Sequence, residues 1–127
     1  MKKTLSTRKG PEAIGTYSQG VVHENLIFTS GQIGIDPLTG TIKQGGIKFE
    51  VQQVLKNIES VLIEGGVDRS YIVKLTVYLK DFEDFPVINN QFKNFFKDCT
   101  YPARSTVEVS RLPMDALVEI DCIAHGS

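Results

Sequence analysis

The chain has 127 residues, with 14 basic and 15 acidic side chains and a formal charge of −1 at pH 7. That length is one ordinary domain, residues 1–127, which buries roughly two thirds of its unfolded surface without staples. The near-neutral balance works against a protein built to neutralise phosphates. No apolar run approaches the roughly 20 residues needed to span a bilayer, so no membrane partner is expected.

The first residues, Met1 to Arg8, carry charge but no apolar core of a signal peptide. With two cysteines, Cys99 and Cys122, too few for a disulfide scaffold, a reducing cytoplasm is the expected compartment. Over the first forty residues short β-like runs alternate with turn residues. Val21-Val22 and Leu26 to Thr29 flank Glu24-Asn25, which predicts a hairpin. Asp36-Pro37-Leu38-Thr39-Gly40 is a turn by its chemistry: Pro sets φ and Gly accepts φ > 0.

Between 47 and 64, Val51, Val54, Leu55, Ile58, Val61 and Leu62 recur every three or four residues. This is an amphipathic helix stopped by Gly65-Gly66. From 71 to 80 the period becomes two, with Val73, Leu75, Val77 and Leu79 on one face of a strand. Asp81 then caps a second helix over about 82–97, with Phe82, Phe85, Ile88, Phe92 and Phe95 or Phe96 on its apolar side and Pro86 in its first turns. Two strands close the chain: 104–109, and then Val118, Ile120 and Cys122 alternating with polar neighbours. Leu112 to Asp115 is the expected turn between them.

The order β-β-β-α-β-α-β-β predicts an α+β domain, one sheet with two helices packed on one face. The other face should carry Lys74, Thr76, Arg104, Thr106, Glu108, Glu119 and Asp121, and either meets water or another subunit.

No phosphate-loop, dinucleotide or metal-spacing motif occurs, so no cofactor and no metal is expected. His23 and His125 read as surface residues, and Cys122 as core. Arg104 begins a strand, where a planar guanidinium suits a carboxylate or phosphate. If the last two strands pair, Glu119 shares its face and can orient a water, or simply form a cross-strand ion pair. Tyr17 sits in the Gly15–Gly20 loop, Ser30 ends a strand, and Asn89 lies on the second helix. Each taken alone reads first as structure: a half-buried loop aromatic, a turn-capping hydroxyl and a solvent-facing amide.

Together these residues resemble the RidA (YjgF) family of enamine/imine deaminases. The resemblance runs through Ala13-Ile14-Gly15-Thr16-Tyr17-Ser18-Gln19-Gly20, Thr29-Ser30-Gly31-Gln32-Ile33, Ile72-Val73-Lys74 to Lys80-Asp81, Asn89 ahead of Phe95-Phe96, Tyr101-Pro102-Ala103-Arg104-Ser105, and Arg111-Leu112-Pro113-Met114-Asp115 through Glu119-Ile120. It implies a chorismate-mutase-like subunit, a homotrimer with a central barrel of sheets, and sites at the subunit interfaces. The implied reaction is hydrolysis of 2-imino acids such as 2-iminobutanoate, or of enamines such as 2-aminoacrylate, to 2-keto acids and ammonia. Arg104 then holds the substrate carboxylate, Glu119 positions the attacking water and Tyr17 closes the pocket. Ser30, Gly31, Asn89 and Thr106 line it, Thr106 through its backbone, and Pro113 stands near the cleft. Two positions depart from the family pattern: Thr106 stands where many members have Cys, and Thr16 where many have Pro. The competing readings are a 2-keto-acid-binding regulatory module and, less supported by the charge, an RNA-cleaving translation inhibitor.

Overall fold

The two periodicities in the sequence become two layers. The computed structural model describes residues 1–126. Along the chain run β1 (Lys2–Leu5), β2 (Gly20–His23), β3 (Leu26–Thr29), β4 (Ile35–Asp36), β5 (Thr41–Ile42), α1 (Ile47–Glu64), β6 (Ile72–Leu79), α2 (Phe85–Phe95), β7 (Ala103–Glu108) and β8 (Val118–His125). Six strands form one mixed sheet in the order β1-β2-β3-β8-β6-β7, and β4 pairs only with β5. Every pairing in the large sheet is antiparallel except β6 with β7, where α2 provides the crossover.

α1 forms as its pattern predicts. Val51, Val54, Leu55, Ile58, Val61 and Leu62 are all at most 3% exposed and cover the sheet's inner face. Gly66, at φ 88°, turns the chain out of the helix, with its N–H donating to the Ile63 carbonyl and that of Val67 to the Leu62 carbonyl. From the strands, Leu75, Val77, Leu79, Val118, Ile120 and Cys122 meet the helices in a single core. Inside it, Asn57 is fully buried and satisfied: Nδ2 donates to the Ile33 and Ile35 carbonyls at 3.2 and 2.9 Å, and Oδ1 accepts from Gln53 at 2.9 Å. That network ties α1 to the segment entering the β4–β5 hairpin.

Four sequence expectations change. The sequence carries no strand signal over β1, yet β1 pairs with β2 from Lys2↔His23 to Leu5↔Gly20. With β4 and β5 paired across the 36–40 turn, five strands, not three, precede α1. On β6 a bulge between Ile72 and Lys74 shifts the alternation, so Ile72 is buried and Val73 is exposed. Asp81 does act as a cap, accepting from Glu83 N at 2.9 Å, but it caps a 3-10 turn at Phe82–Asp84, and the α-helix starts at Phe85. Phe82 consequently stays half-exposed and stacks on Phe85 rather than joining the core.

The fourth change matters most for function. β7 and β8 do not pair with each other; both pair with β6, on its opposite edges. Leu79 O accepts from Val109 N, and Leu117 O accepts from Lys80 N, so the end of β6 is held from both sides. Arg104 lies opposite Leu75, Thr106 opposite Val77 and Glu108 opposite Leu79. Glu119 lies opposite Tyr78 and Asp121 opposite Thr76. Because neighbours along a strand alternate faces, Arg104, Thr106 and Glu108 project on the helix side. Lys74, Thr76, Tyr78, Ser105, Glu119 and Asp121 project on the open side. The expected common face for Arg104 and Glu119 does not exist within one chain.

Candidate active site

The reversal at β7 splits the expected site residues between two cavities. The first lies under α2, has a volume of ≈460 Å³, and is lined by Asn89, Phe92, Lys93 and Tyr101 around Arg104. The Arg104 guanidinium carbon sits 5.2 Å from the Phe85 ring centroid and 5.4 Å from that of Phe92. Two aromatic rings thus orient the planar group while leaving its N–H edge to accept an anion. No acidic side chain forms an ion pair with it among the described residues. The cross-strand ion pair with Glu119 is therefore excluded in this fold.

Thr106 lies two residues further along β7 on the same side. Its hydroxyl is buried without a hydrogen-bond partner, an arrangement that costs stability where it occurs.

The second cavity is on the open side, ≈270 Å³, and is lined by Tyr17, Gly31, Pro113, Met114 and Glu119 among others. Glu119 is half-buried on β8, and burial first, then the neighbouring Asp121 carboxylate, pushes its pKa above the ordinary glutamate range. Asp121 is raised by burial as well, offset by the Tyr78 hydroxyl, which donates to it at 3.2 Å, and by Lys74. Lys74 itself donates to Ser105 at 3.0 Å.

Gly31 leaves room for the Glu119 carboxyl group to lie against the backbone. A Cβ at position 31 would run into the Glu119 carboxyl group. The close approach is enforced by backbone bonds on either side: Gln32 N donates to Ile120 O at 2.8 Å and Ile120 N to Gln32 O at 3.0 Å. Tyr17 enters from the long loop after β1, and its hydroxyl accepts from Ile14 N at 3.3 Å. The loop is pinned at its far end by Ser30, whose N–H donates to Gln19 O at 2.9 Å and whose hydroxyl donates to Ser18 O. The Ser30 hydroxyl is thus occupied in holding the Tyr17 loop. The buried Gln19 side chain adds a clasp on Thr7 and Pro11.

Both cysteines and both histidines stand apart from these cavities. Cys122 is core, as its position in the alternation predicts, and burial pushes its thiol up to about 12. His23 and His125 are exposed at strand ends. Sequence reasoning missed Lys93. The signal was available: it lies four residues after Asn89 and so shares a helical face with it.

The model for the family described as "Endoribonuclease L-PSP" matches residues 7–126. The chain is 46% identical to a RutC family protein of Pyrococcus abyssi, covering 98% of this chain and 97% of that one. It is 42% identical to the 2-iminobutanoate/2-iminopropanoate deaminase of Salmonella typhimurium, covering 98% of each. Among solved structures, E. coli TdcF with bound serine superposes with a TM-score of 0.94 at 40% identity, over 98% of this chain and 99% of that one. The likeness runs along almost the entire length, and the chain belongs to the Endoribonuclease L-PSP family, the RidA (YjgF) family that its sequence resembles.

Proposed function

We propose that this protein hydrolyses 2-imino acids, and their enamine tautomers, to 2-keto acids and ammonia, in sites assembled between copies of the chain in a homotrimer. The observation that carries this reading is the separation of the two half-sites. An arginine with no carboxylate partner among the described residues waits in one cavity, and a half-buried carboxylate of raised pKa waits in another, on the opposite face of the sheet. A cyclic assembly presents the helix-side edge of one subunit to the open side of the next, repeating the same contact at each interface. The relative named as a 2-iminobutanoate/2-iminopropanoate deaminase supports the choice of reaction.

In this mechanism Arg104 grips the carboxylate beside the C=N bond in a bidentate pair and so fixes the imine carbon. Asn89 borders the same pocket. Glu119 of the neighbouring copy accepts a proton from water as the water oxygen bonds to that carbon. That proton goes to nitrogen, giving a carbinolamine; Glu119 then takes the hydroxyl proton of the carbinolamine and passes it to the amino nitrogen as the C–N bond breaks, so ammonia leaves and the carbonyl forms. Tyr17 closes over the substrate from the Glu119 side. A carboxylate with a raised pKa suits this exchange, because it is a stronger base than an ordinary glutamate. An imine carbon is already electrophilic, so orientation and one proton carrier suffice without a cofactor. The same carboxylate works against a polyanion in that cavity, which disfavours RNA cleavage there.

A threonine dehydratase that generates 2-iminobutanoate in place, with semicarbazide trapping the surviving imine, tests the proposal. Less trapped imine with the wild-type protein than with Arg104→Ala is the expected result. Equal trapping with both, from folded assemblies, overturns it. The E. coli relative holding serine favours a second reading, a sensor of small amino or keto acids. A sensor would retain 2-keto-acid binding with no turnover and no dependence on Glu119.

A further inference from the structure

The Arg104 cavity carries more positive charge than a substrate with one carboxylate can use. Asn89 and Lys93 line it together with Arg104. They are four residues apart on α2, so they stand one turn apart on one face, their Cβ atoms about 6 Å from each other. Among the described residues neither Arg104 nor Lys93 is in an ion pair. The rest of the wall is mostly apolar, from Leu75, Phe92 and Phe96. At ≈460 Å³ the cavity falls within the size of pockets that hold ligands far larger than a four-carbon acid, about 300–1,000 Å³.

We propose that this half-site accepts 2-imino acids with a second carboxylate at the far end of the chain, the imines of acidic amino acids. The inference rests on the imine hydrolysis proposed above and names a substrate class for it. The two cations suit the two ends. Arg104, stacked on Phe85 and Phe92, presents a fixed planar fork to the carboxylate whose position sets the reaction geometry. Lys93 is a point charge on a flexible stem at an exposed helix position, able to follow distal carboxylates on chains of different length. The Asn89 amide lies one turn nearer the helix start and can donate to either end. The reaction remains the addition of water and loss of ammonia, giving a 2-oxo dicarboxylic acid. The reactions that supply such imines are those that oxidise the amino group of an acidic amino acid, reducing a flavin or nicotinamide as they do so.

The experiment compares two imines made in place by amino-acid oxidases, one from aspartate and one from leucine, with semicarbazide as the trap and catalase present. The readout is the ratio of kcat/KM for the dicarboxylic imine to that for the monocarboxylic one. Lys93→Ala lowers the ratio about tenfold, the scale of losing one hydrogen bond to a charged group, and Lys93→Glu lowers it further. Most of the change falls in KM. A ratio unmoved by both substitutions overturns the inference, whereas absence of turnover on either imine in the wild type overturns the imine-hydrolase reading instead. Calorimetry then still decides on Lys93. The affinity ratio of 2-oxoglutarate to 2-oxobutanoate falls about tenfold in Lys93→Ala if the lysine holds the distal carboxylate, and an equal ratio in both proteins refutes it.

Discussion

The separation of Arg104 and Glu119 onto opposite faces leads to a complementation test. Arg104→Ala removes a guanidinium held over two rings and leaves the apolar wall in place, so the fold should survive. A charge-assisted pair of this kind is worth about 1.5–3 kcal/mol, so kcat/KM falls about 10- to 100-fold. Glu119→Gln removes the proton acceptor without changing the shape beside Gly31. Each variant alone therefore has little activity. If every site takes its arginine from one subunit and its carboxylate from the next, a mixture restores some sites. An interface is intact only when the first subunit carries Glu119→Gln and the second carries Arg104→Ala. In a closed trimer that holds both variants one interface in three meets that condition, so about a third of wild-type activity returns. The two variants are co-expressed with different tags, the mixed assemblies are isolated by tandem purification, and the semicarbazide assay is run on them. Mixed assemblies of verified composition that are as inactive as their parents refute the shared-site reasoning.

Further predictions concern the open-side cavity and the core. Gly31→Ala forces the Glu119 carboxyl group aside and, at a displacement near 1 Å, lowers kcat on the order of 100-fold, while circular dichroism and assembly size stay those of the wild type. The pKa of Glu119 is raised, so its basic form is lost as pH falls through a value above the ordinary glutamate range, and the acid limb of the kcat/KM profile lies there. Asp121→Asn removes the like-charge contribution and moves that limb to lower pH; a limb that stays in place argues against Asp121 acting on Glu119. A raised carboxylate favours the folded state at acid pH and loses that contribution as pH rises through its folded value. Glu119→Gln is therefore at least as stable as the wild type in urea at pH 7, and a marked loss of stability would show that Glu119 serves the fold. Asn57→Ala leaves the Ile33 and Ile35 carbonyls without their buried donor and costs about 1–3 kcal/mol in urea denaturation, whereas Ser60→Ala on the exposed side of the same helix costs under about 0.5 kcal/mol.

Elements governed by neighbours in the chain were legible without the fold. α1 runs from Ile47 to Glu64 as its three- and four-residue spacing predicts, because that spacing alone creates an apolar stripe long enough to nucleate on a sheet. The Glu24-Asn25 turn is equally local: Glu24 takes φ 53° between β2 and β3. The motif residues around Tyr17, Gly31, Arg104 and Glu119 identified the family, since order and spacing survive in sequence. What tertiary structure decided was which face each strand presents. Alternation tells which residues of a strand share a face, but not which face points inward, and a one-residue difference in register reverses the answer. β7 illustrates this: it is an exposed edge strand with little burial on either side, so nothing in its own pattern sets its orientation. Only its parallel register with β6 places Arg104 beside Leu75 and away from Glu119. The bulge at Ile72–Lys74 and the pairing of β1 are decided in the same way, by hydrogen bonds to strands distant in sequence. The chemistry of the site residues is thus a local property, while their division between two half-sites follows from long-range pairing that no short window of sequence contains.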